Sequence, residues 1–176
     1  QIDCLLEDIP VEAVKIGMVY EAGIIRATAE SLRKWQAPNI VLDPVMVSTS
    51  GRHLLQPEAR QELRQSLLPM ATLVTPNLPE AEVLTGLGVT TISGMKAAAA
   101  ALKDMGPCYV VIKGGHLENE PVDVFYDGRT FTLLPGSRVA TQNTHGTGCT
   151  FASAIAAHLA RGDSPSEAVR LAKEYI

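Results

Sequence analysis

Asn39-Ile40-Val41-Leu42-Asp43 is a short apolar run that ends in a carboxylate. It is too short for a helix and has no polar residue between its ends, which is the pattern of a strand buried on both faces. The same pattern recurs on either side of it. Val14 to Met18 is an earlier apolar run, closed by Tyr20 and Glu21. Leu73 to Thr75 and Tyr109 to Lys113 are two later ones. Between them the apolar spacing is helical. Ile24, Ile25, Thr28, Leu32 and Trp35 share a face until Pro38 stops the pattern. Pro57 starts a helix with Ala59, Leu63 and Leu67 inward, and Pro79 starts a short one that ends near Gly86. Ser93 is placed to cap a helix from Gly94 to Met105, with Met95, Ala98, Ala99, Leu102 and Met105 facing inward. Strands alternating with helices in this way predict an α/β fold: a mostly parallel sheet flanked by helices, with right-handed crossovers.

Beyond residue 115 the rhythm changes. Val122–Tyr126 and Thr130–Leu134 flank Asp127-Gly128, predicting a β-hairpin near 121–135 with a tight primed turn. Thr147 to Arg161 is apolar around most of its circumference and predicts a buried helix ended by Gly162. Ser164-Pro165-Ser166-Glu167 has the form of a capping box opening a last helix.

The composition bounds the possibilities. The chain has 176 residues, 46% hydrophobic and 19% charged, which suits one globular domain rather than a disordered segment. Fifteen basic against 19 acidic side chains give a net charge of -4, which argues against nucleic acid as a partner. The apolar runs are far shorter than the roughly 18 residues a membrane span needs. Three cysteines without metal-ligand spacing suit a reducing compartment, and a cytoplasmic location is expected. Cys4 and Cys108 are expected to be small buried residues.

In a parallel sheet, ligands bind beyond the carboxyl ends of the strands. Gly17 and Met18, then Asp43 with Val45, then Asn77 with Glu80, and finally Lys113 all follow strands. An Asp, an Asn/Glu pair and a Lys at successive strand ends suit a nucleotide and a metal. Each has a plainer alternative as a turn cap, a dipole partner or a solvated strand end. The strongest local signal is Asn143-Thr144-His145-Gly146-Thr147-Gly148-Cys149-Thr150. Its glycines let the backbone approach a ligand, and the following helix turns its N–H groups and dipole toward it. That is a cradle for a transferring phosphoryl group, and without GxxxxGK[ST] it is not a P-loop. Cys149 stands in the first turn, where the dipole favours thiolate. His145 and His116 are expected to be loop polar residues.

VKIGM (14–18), VLDPVMV (41–47), VTPNLPEAE (74–82), VIKGGH (111–116) and NTHGTGCT (143–150), in this order, resemble the bacterial hydroxymethylpyrimidine/phosphomethylpyrimidine kinases of thiamine biosynthesis. These are members of the ribokinase-like superfamily. The resemblance implies an ATP- and Mg²⁺-dependent phosphotransferase acting on 4-amino-5-hydroxymethyl-2-methylpyrimidine and then on its monophosphate. It also implies a homodimer. By motif, Gly146, Thr147 and Gly148 match the anion hole, and Cys149 matches the general base. Asn77, Lys113 and Thr144 match phosphate-binding positions. Asp43 and Glu80 match the Mg²⁺ edge, Glu80 through water. Gly17, Met18 and Val45 match the pyrimidine pocket. The family pattern further implies that residues 1–176 are a partial ribokinase-like domain, with an N-terminal segment and a C-terminal end lying outside it.

Two alternatives stay open. Pyridoxal or pyridoxine kinases share the superfamily and the anion hole. Their cysteine-bearing branch adds a second cysteine after the DPVM segment, where this chain has Val47-Ser48-Thr49. A non-catalytic ligand-binding remnant of the fold is the other.

Overall fold

The structure is a computed structural model and describes residues 1–46, 55–115, 117, 121–137 and 145–176. Its centre is a six-stranded sheet in sequential order: β1 (Val14–Ile16), β2 (Ile40–Leu42), β3 (Leu73–Val74), β4 (Tyr109–Ile112), β5 (Val122–Tyr126) and β6 (Phe131–Pro135). The first four strands are parallel. β5 and β6 are antiparallel, as the hairpin near 121–135 requires.

Alternation along each strand sorts the side chains into two cores. Ile40, Leu42, Val74, Val110, Ile112 and Val124 face one way. They meet Ile25, Ala29 and Leu32 of α2 (Ala22–Lys34), Ala59 of α3 (Pro57–Glu62), Ala81 and Leu84 of α4 (Leu78–Thr85), and Met95, Ala98 and Leu102 of α5 (Ile92–Lys103). Val41, Leu73, Val111 and Phe125 face the other way, onto α6 (Thr147–Ala160) and α7 (Pro165–Tyr175). Sequential parallel strands with crossovers of one hand put the intervening helices on one face, so the last two helices cover the opposite one. The result is a three-layer α/β/α arrangement. Each fully buried Leu or Ile contributes about 1.5–3 kcal/mol to it. Ala152 and Ala156 on α6, with Ala168 and Ala172 on α7, keep the second layer thin and close-packed.

Several local expectations change. A short helix, α1 (Ile2–Asp8), precedes β1, and its Asp3 accepts from the Trp35 indole at 2.8 Å. α2 ends before Pro38: Gln36 takes a left-handed conformation (φ 49°) and the Ala37 amide closes back on the Leu32 carbonyl. α5 is capped by Thr91, whose hydroxyl accepts from the Gly94 amide; Ser93 lies inside the helix. The hairpin connection is the four residues Asp127–Thr130, because Tyr126 pairs with Phe131. The Asp127 carboxylate accepts from the Arg129 and Thr130 amides and the Thr130 hydroxyl, which supports a wider loop than a two-residue turn. Those donors hold the Asp127 carboxyl below its ordinary value. At α7 the Ser164 hydroxyl accepts from the Glu167 amide, while the Glu167 carboxylate turns to Arg170. Cys4 and Cys108 are exposed, not buried; Cys108 precedes β4 at the amino end of the sheet. Among the described residues no helix is long and apolar enough to cross a membrane.

Candidate active site

The register aligns the carboxyl ends of the parallel strands. Ile16 pairs with Leu42 and Leu42 with Val74, so Gly17, Asp43 and Thr75 follow side by side. The Asp43 amide donates to the Ile16 carbonyl at 2.8 Å, and the Thr75 amide to the Leu42 carbonyl at 3.0 Å. One step further out, Asn77 bridges to Lys113 in the parallel sense, with the Lys113 amide on the Pro76 carbonyl. The topology therefore gathers residues far apart in sequence along one edge.

Three charged side chains meet there. The Lys113 ammonium donates to Asp43 Oδ1 at 2.8 Å and lies 3.9 Å from Glu80 Oε2. Asp43 is 1% exposed and Glu80 4%, so both carboxylates have left water. The buried Thr75 hydroxyl donates to Asp43 at 3.2 Å. Burial pushes the Glu80 carboxyl above its ordinary value, and the nearby Asp43 charge adds to the rise. The Lys113 ammonium and the amides of Asn77 and Met46 oppose it. With both carboxylates ionised the cluster would hold two negative charges against one ammonium, a setting that favours a further cation.

The Asn-x-x-Glu spacing has a structural cause as well. Asn77 Oδ1 accepts from the Glu80 amide at 2.9 Å, and Glu80 Oε2 accepts from the Asn77 amide at 2.7 Å. This is a reciprocal capping box opening α4. Helix-dipole and charge-cluster roles thus coexist in Glu80, and the Asn77 carbonyl oxygen is occupied within the helix start.

The glycine turn stands beside this cluster. Gly146 caps α6 in a left-handed conformation (φ 83°) that its lack of a Cβ allows, and makes no side-chain cap among the described residues. Thr147, Gly148 and Cys149 form the first turn, with Cys149 exposed. A Cβ on Gly148 would lie 3.2 Å from the Lys113 Nζ, so the ammonium rests directly against this turn. Gly17 and Val45 are half-buried and Met18 is exposed, all at the ends of β1 and β2. Thr144 and His116 lie outside the described residues.

The sequence reading missed three participants. Thr75 anchors Asp43, and the Met46 amide faces Glu80. Asp123, buried in β5, accepts from the Gly114 amide next to Lys113. Only Asp123 left a signal: a carboxylate at a core-facing position of an alternating strand.

Magnesium fits the cluster in one manner only. Among the described residues no group of three His, Cys, Asp or Glu forms a protein cage. Two carboxylates do suffice for Mg²⁺ when waters and substrate phosphates complete its shell.

The whole chain, residues 1–176, matches the family model described as phosphomethylpyrimidine kinase. It is 47% identical over 178 residues to the hydroxymethylpyrimidine/phosphomethylpyrimidine kinase of Rhizobium meliloti, covering 100% of this chain and 66% of that protein. It is 46% identical to the thiamine biosynthesis bifunctional protein ThiED of Geobacter sulfurreducens, of which it covers 36%. The chain thus spans about a third to two thirds of these relatives' lengths. Among solved structures it resembles the phosphomethylpyrimidine kinase of Clostridium difficile, with TM-score 0.88 and 42% identity over 99% of this chain and 71% of that one. An ADP complex of Bacillus subtilis pyridoxal kinase is similar at TM-score 0.93 and 42% identity, over 99% of this chain and 67% of that one. The motif order, the ribokinase-like sheet and the full-length family match agree: this chain belongs to the phosphomethylpyrimidine kinase family.

Proposed function

We propose that the protein is an ATP-dependent kinase that phosphorylates 4-amino-5-hydroxymethyl-2-methylpyrimidine and then its monophosphate, in thiamine biosynthesis. The observation that carries this reading is the contact between the Lys113 ammonium and the first turn of α6, with Asp43 and Glu80 behind it. Phosphoryl transfer asks for positioning and charge stabilisation more than covalent chemistry. Here Gly146, Thr147, Gly148 and Cys149 would receive the oxygens of the transferring group on backbone amides at a positive helix end. Lys113 would turn from Asp43 toward the phosphates, with Asn77 and Thr144 near the same nucleotide. The Asp43 and Glu80 carboxylates would then hold Mg²⁺, Glu80 through water, and the ion would supply charge neutralisation for the phosphates. Cys149 would accept the hydroxyl proton, a contribution of about 10²–10⁴-fold for a placed base. Gly17, Met18 and Val45 would line the mouth for the pyrimidine ring.

The protein is read as a cytoplasmic homodimer. The free state of its three cysteines supports a reducing compartment, and the dimer rests on the family resemblance. Light scattering of the full-length protein tests the latter.

The fold similarity to pyridoxal kinases and the 42% identity to the pyridoxine kinase of Bacillus subtilis favour a second reading, phosphorylation of pyridoxal or pyridoxine. Val47-Ser48-Thr49, which holds no second thiol, weighs for the pyrimidine. A substrate panel with purified full-length protein and ATP decides. The hydroxymethylpyrimidine and its monophosphate should be turned over far faster than pyridoxal, and comparable or faster turnover of pyridoxal would reverse the assignment.

A further inference from the structure

The residue directly after Lys113 has no room for a side chain. At Gly114 a Cβ would stand 1.9 Å from the Val122 carbonyl oxygen, so no side chain fits between β4 and β5 at this point. The β4–β5 ladder runs as far as Ile112 opposite Val124. One residue beyond Lys113, the Gly114 amide finds its acceptor in a side chain: Asp123 Oδ1 at 2.7 Å. Asp123 is 6% exposed, and its other oxygen accepts from the Lys173 ammonium of α7 at 2.6 Å. Lys173 also packs against Gly136, where a Cβ would stand 3.1 Å from its Nζ. A buried carboxylate thus has both oxygens occupied, one by the backbone next to Lys113 and one by the last helix.

Such a pair is an expensive way to hold a fold. A buried ion pair contributes little net stability against apolar residues of the same shape. It does fix one geometry, since the carboxylate cannot leave Gly114 without breaking a charge-assisted hydrogen bond in a dry setting. The backbone atom it fixes adjoins the residue whose ammonium touches Asp43 and the α6 turn. We propose that Asp123, braced by Lys173, is a positioning residue that sets the Lys113–Gly115 turn for nucleotide phosphates. The proposal rests on the kinase reading above. Neither residue touches the reacting atoms; both act through the backbone of Gly114.

The test compares two double variants that both lack the ion pair, and therefore share its packing cost. Asp123→Asn with Lys173→Met keeps an oxygen for the Gly114 amide and leaves no unpaired buried charge. Asp123→Ala with Lys173→Met removes the acceptor as well. In the full-length protein the Asn variant should keep KM for ATP within about threefold of wild type. The Ala variant should raise it about tenfold or more, because a displacement of about 1 Å is costly in a positioned site. KM for the pyrimidine should stay unchanged in both. Equal KM for ATP in the two variants would overturn the proposal. Should the Ala variant not fold, amide exchange at Gly114 in the wild type decides: it should slow further when AMP-PCP is added, and indifference to the nucleotide would overturn the proposal. Absence of any ATP turnover by the wild type would instead remove the kinase reading, leaving the Gly114 exchange to judge the positioning role by itself.

Discussion

Helices α4 and α6 both begin at the carboxyl edge of the sheet, and they begin in opposite ways. α4 completes itself: the Asn77 side chain takes the Glu80 amide, and the Glu80 side chain takes the Asn77 amide. α6 starts on a left-handed glycine with no side-chain cap among the described residues, and the Lys113 ammonium from another strand lies against its first turn. Unsatisfied amides at a helix start cost stability unless something accepts from them. A self-capped start therefore commits its donors to the fold, whereas at the α6 start the Gly148 and Cys149 amides, which no side chain among the described residues caps, can serve a ligand. The lesson is a division of labour within one edge. The α4 start holds carboxylates for a cation, and the α6 start presents donors to an anion, with Lys113 between them.

The largest expected effect is at Cys149, on the uncapped side. Cys149→Ala should lower kcat by about 10²–10⁴-fold with little change in ATP affinity, and Cys149→Asp should recover part of the loss. Near wild-type turnover by the Ala variant would restrict the α6 start to backbone chemistry alone. Gly148→Ala sharpens the contrast from the same side. Its methyl group would press on the Lys113 ammonium, the flexible end of a long side chain, so the fold should tolerate it. Replacing glycine there should stabilise the protein by about 0.4–1 kcal/mol, while turnover falls about tenfold through the displaced ammonium. Thermal melts and steady-state kinetics on one preparation read both, and a loss of stability would contradict the account.

On the capped side the balance should reverse. Glu80→Gln keeps an acceptor for the Asn77 amide, so α4 should still form. Activity should fall severalfold at limiting Mg²⁺ and recover at high Mg²⁺. The pH dependence of stability follows from burial. The folded protein holds the Glu80 proton above the ordinary 4.5, so stability from this group is full below 4.5 and is lost as pH rises through the raised value. Gln never ionises, so the variant should gain on the wild type as pH rises above the ordinary 4.5 and through the raised value, in denaturant titrations. A gap that stays constant with pH would contradict the assigned shift. Asn77→Ala should have the smallest effect on turnover. It should cost about 1 kcal/mol of stability through the lost cap, visible as a lower urea midpoint.

The sheet and most of the edge were legible in the sequence because both rest on short-range patterns. Runs such as Ile40–Leu42 and Tyr109–Ile112 have one plausible conformation, and parallel pairing then delivers Asp43, Asn77 and Lys113 to one side. Contacts that depend on three-dimensional closeness were not legible. Pro79 marked a helix start, yet the reciprocal Asn77–Glu80 capping box appears only once α4 starts at Leu78. Thr75 anchors Asp43 from a neighbouring strand 32 residues away, and Lys173 reaches Asp123 across 50. The burial of small apolar side chains is only a tendency, so Cys4 and Cys108 stand exposed where no core face required them. Asp127 widened its hairpin because its carboxylate offered the loop three hydrogen bonds, a gain that the Asp-Gly pair alone does not reveal.

Amide chemical shifts in the full-length protein test the division between the two helix starts most directly. The comparison is between saturating Mg·ADP and saturating Mg·AMP-PCP, which differ in the γ-phosphoryl group. The Gly148 and Cys149 amides should move between the two nucleotides, as a new acceptor reaches them, while the Glu80 amide, already held by Asn77, stays in place. Identical Gly148 and Cys149 shifts with both nucleotides, or a larger difference at Glu80, would contradict the account.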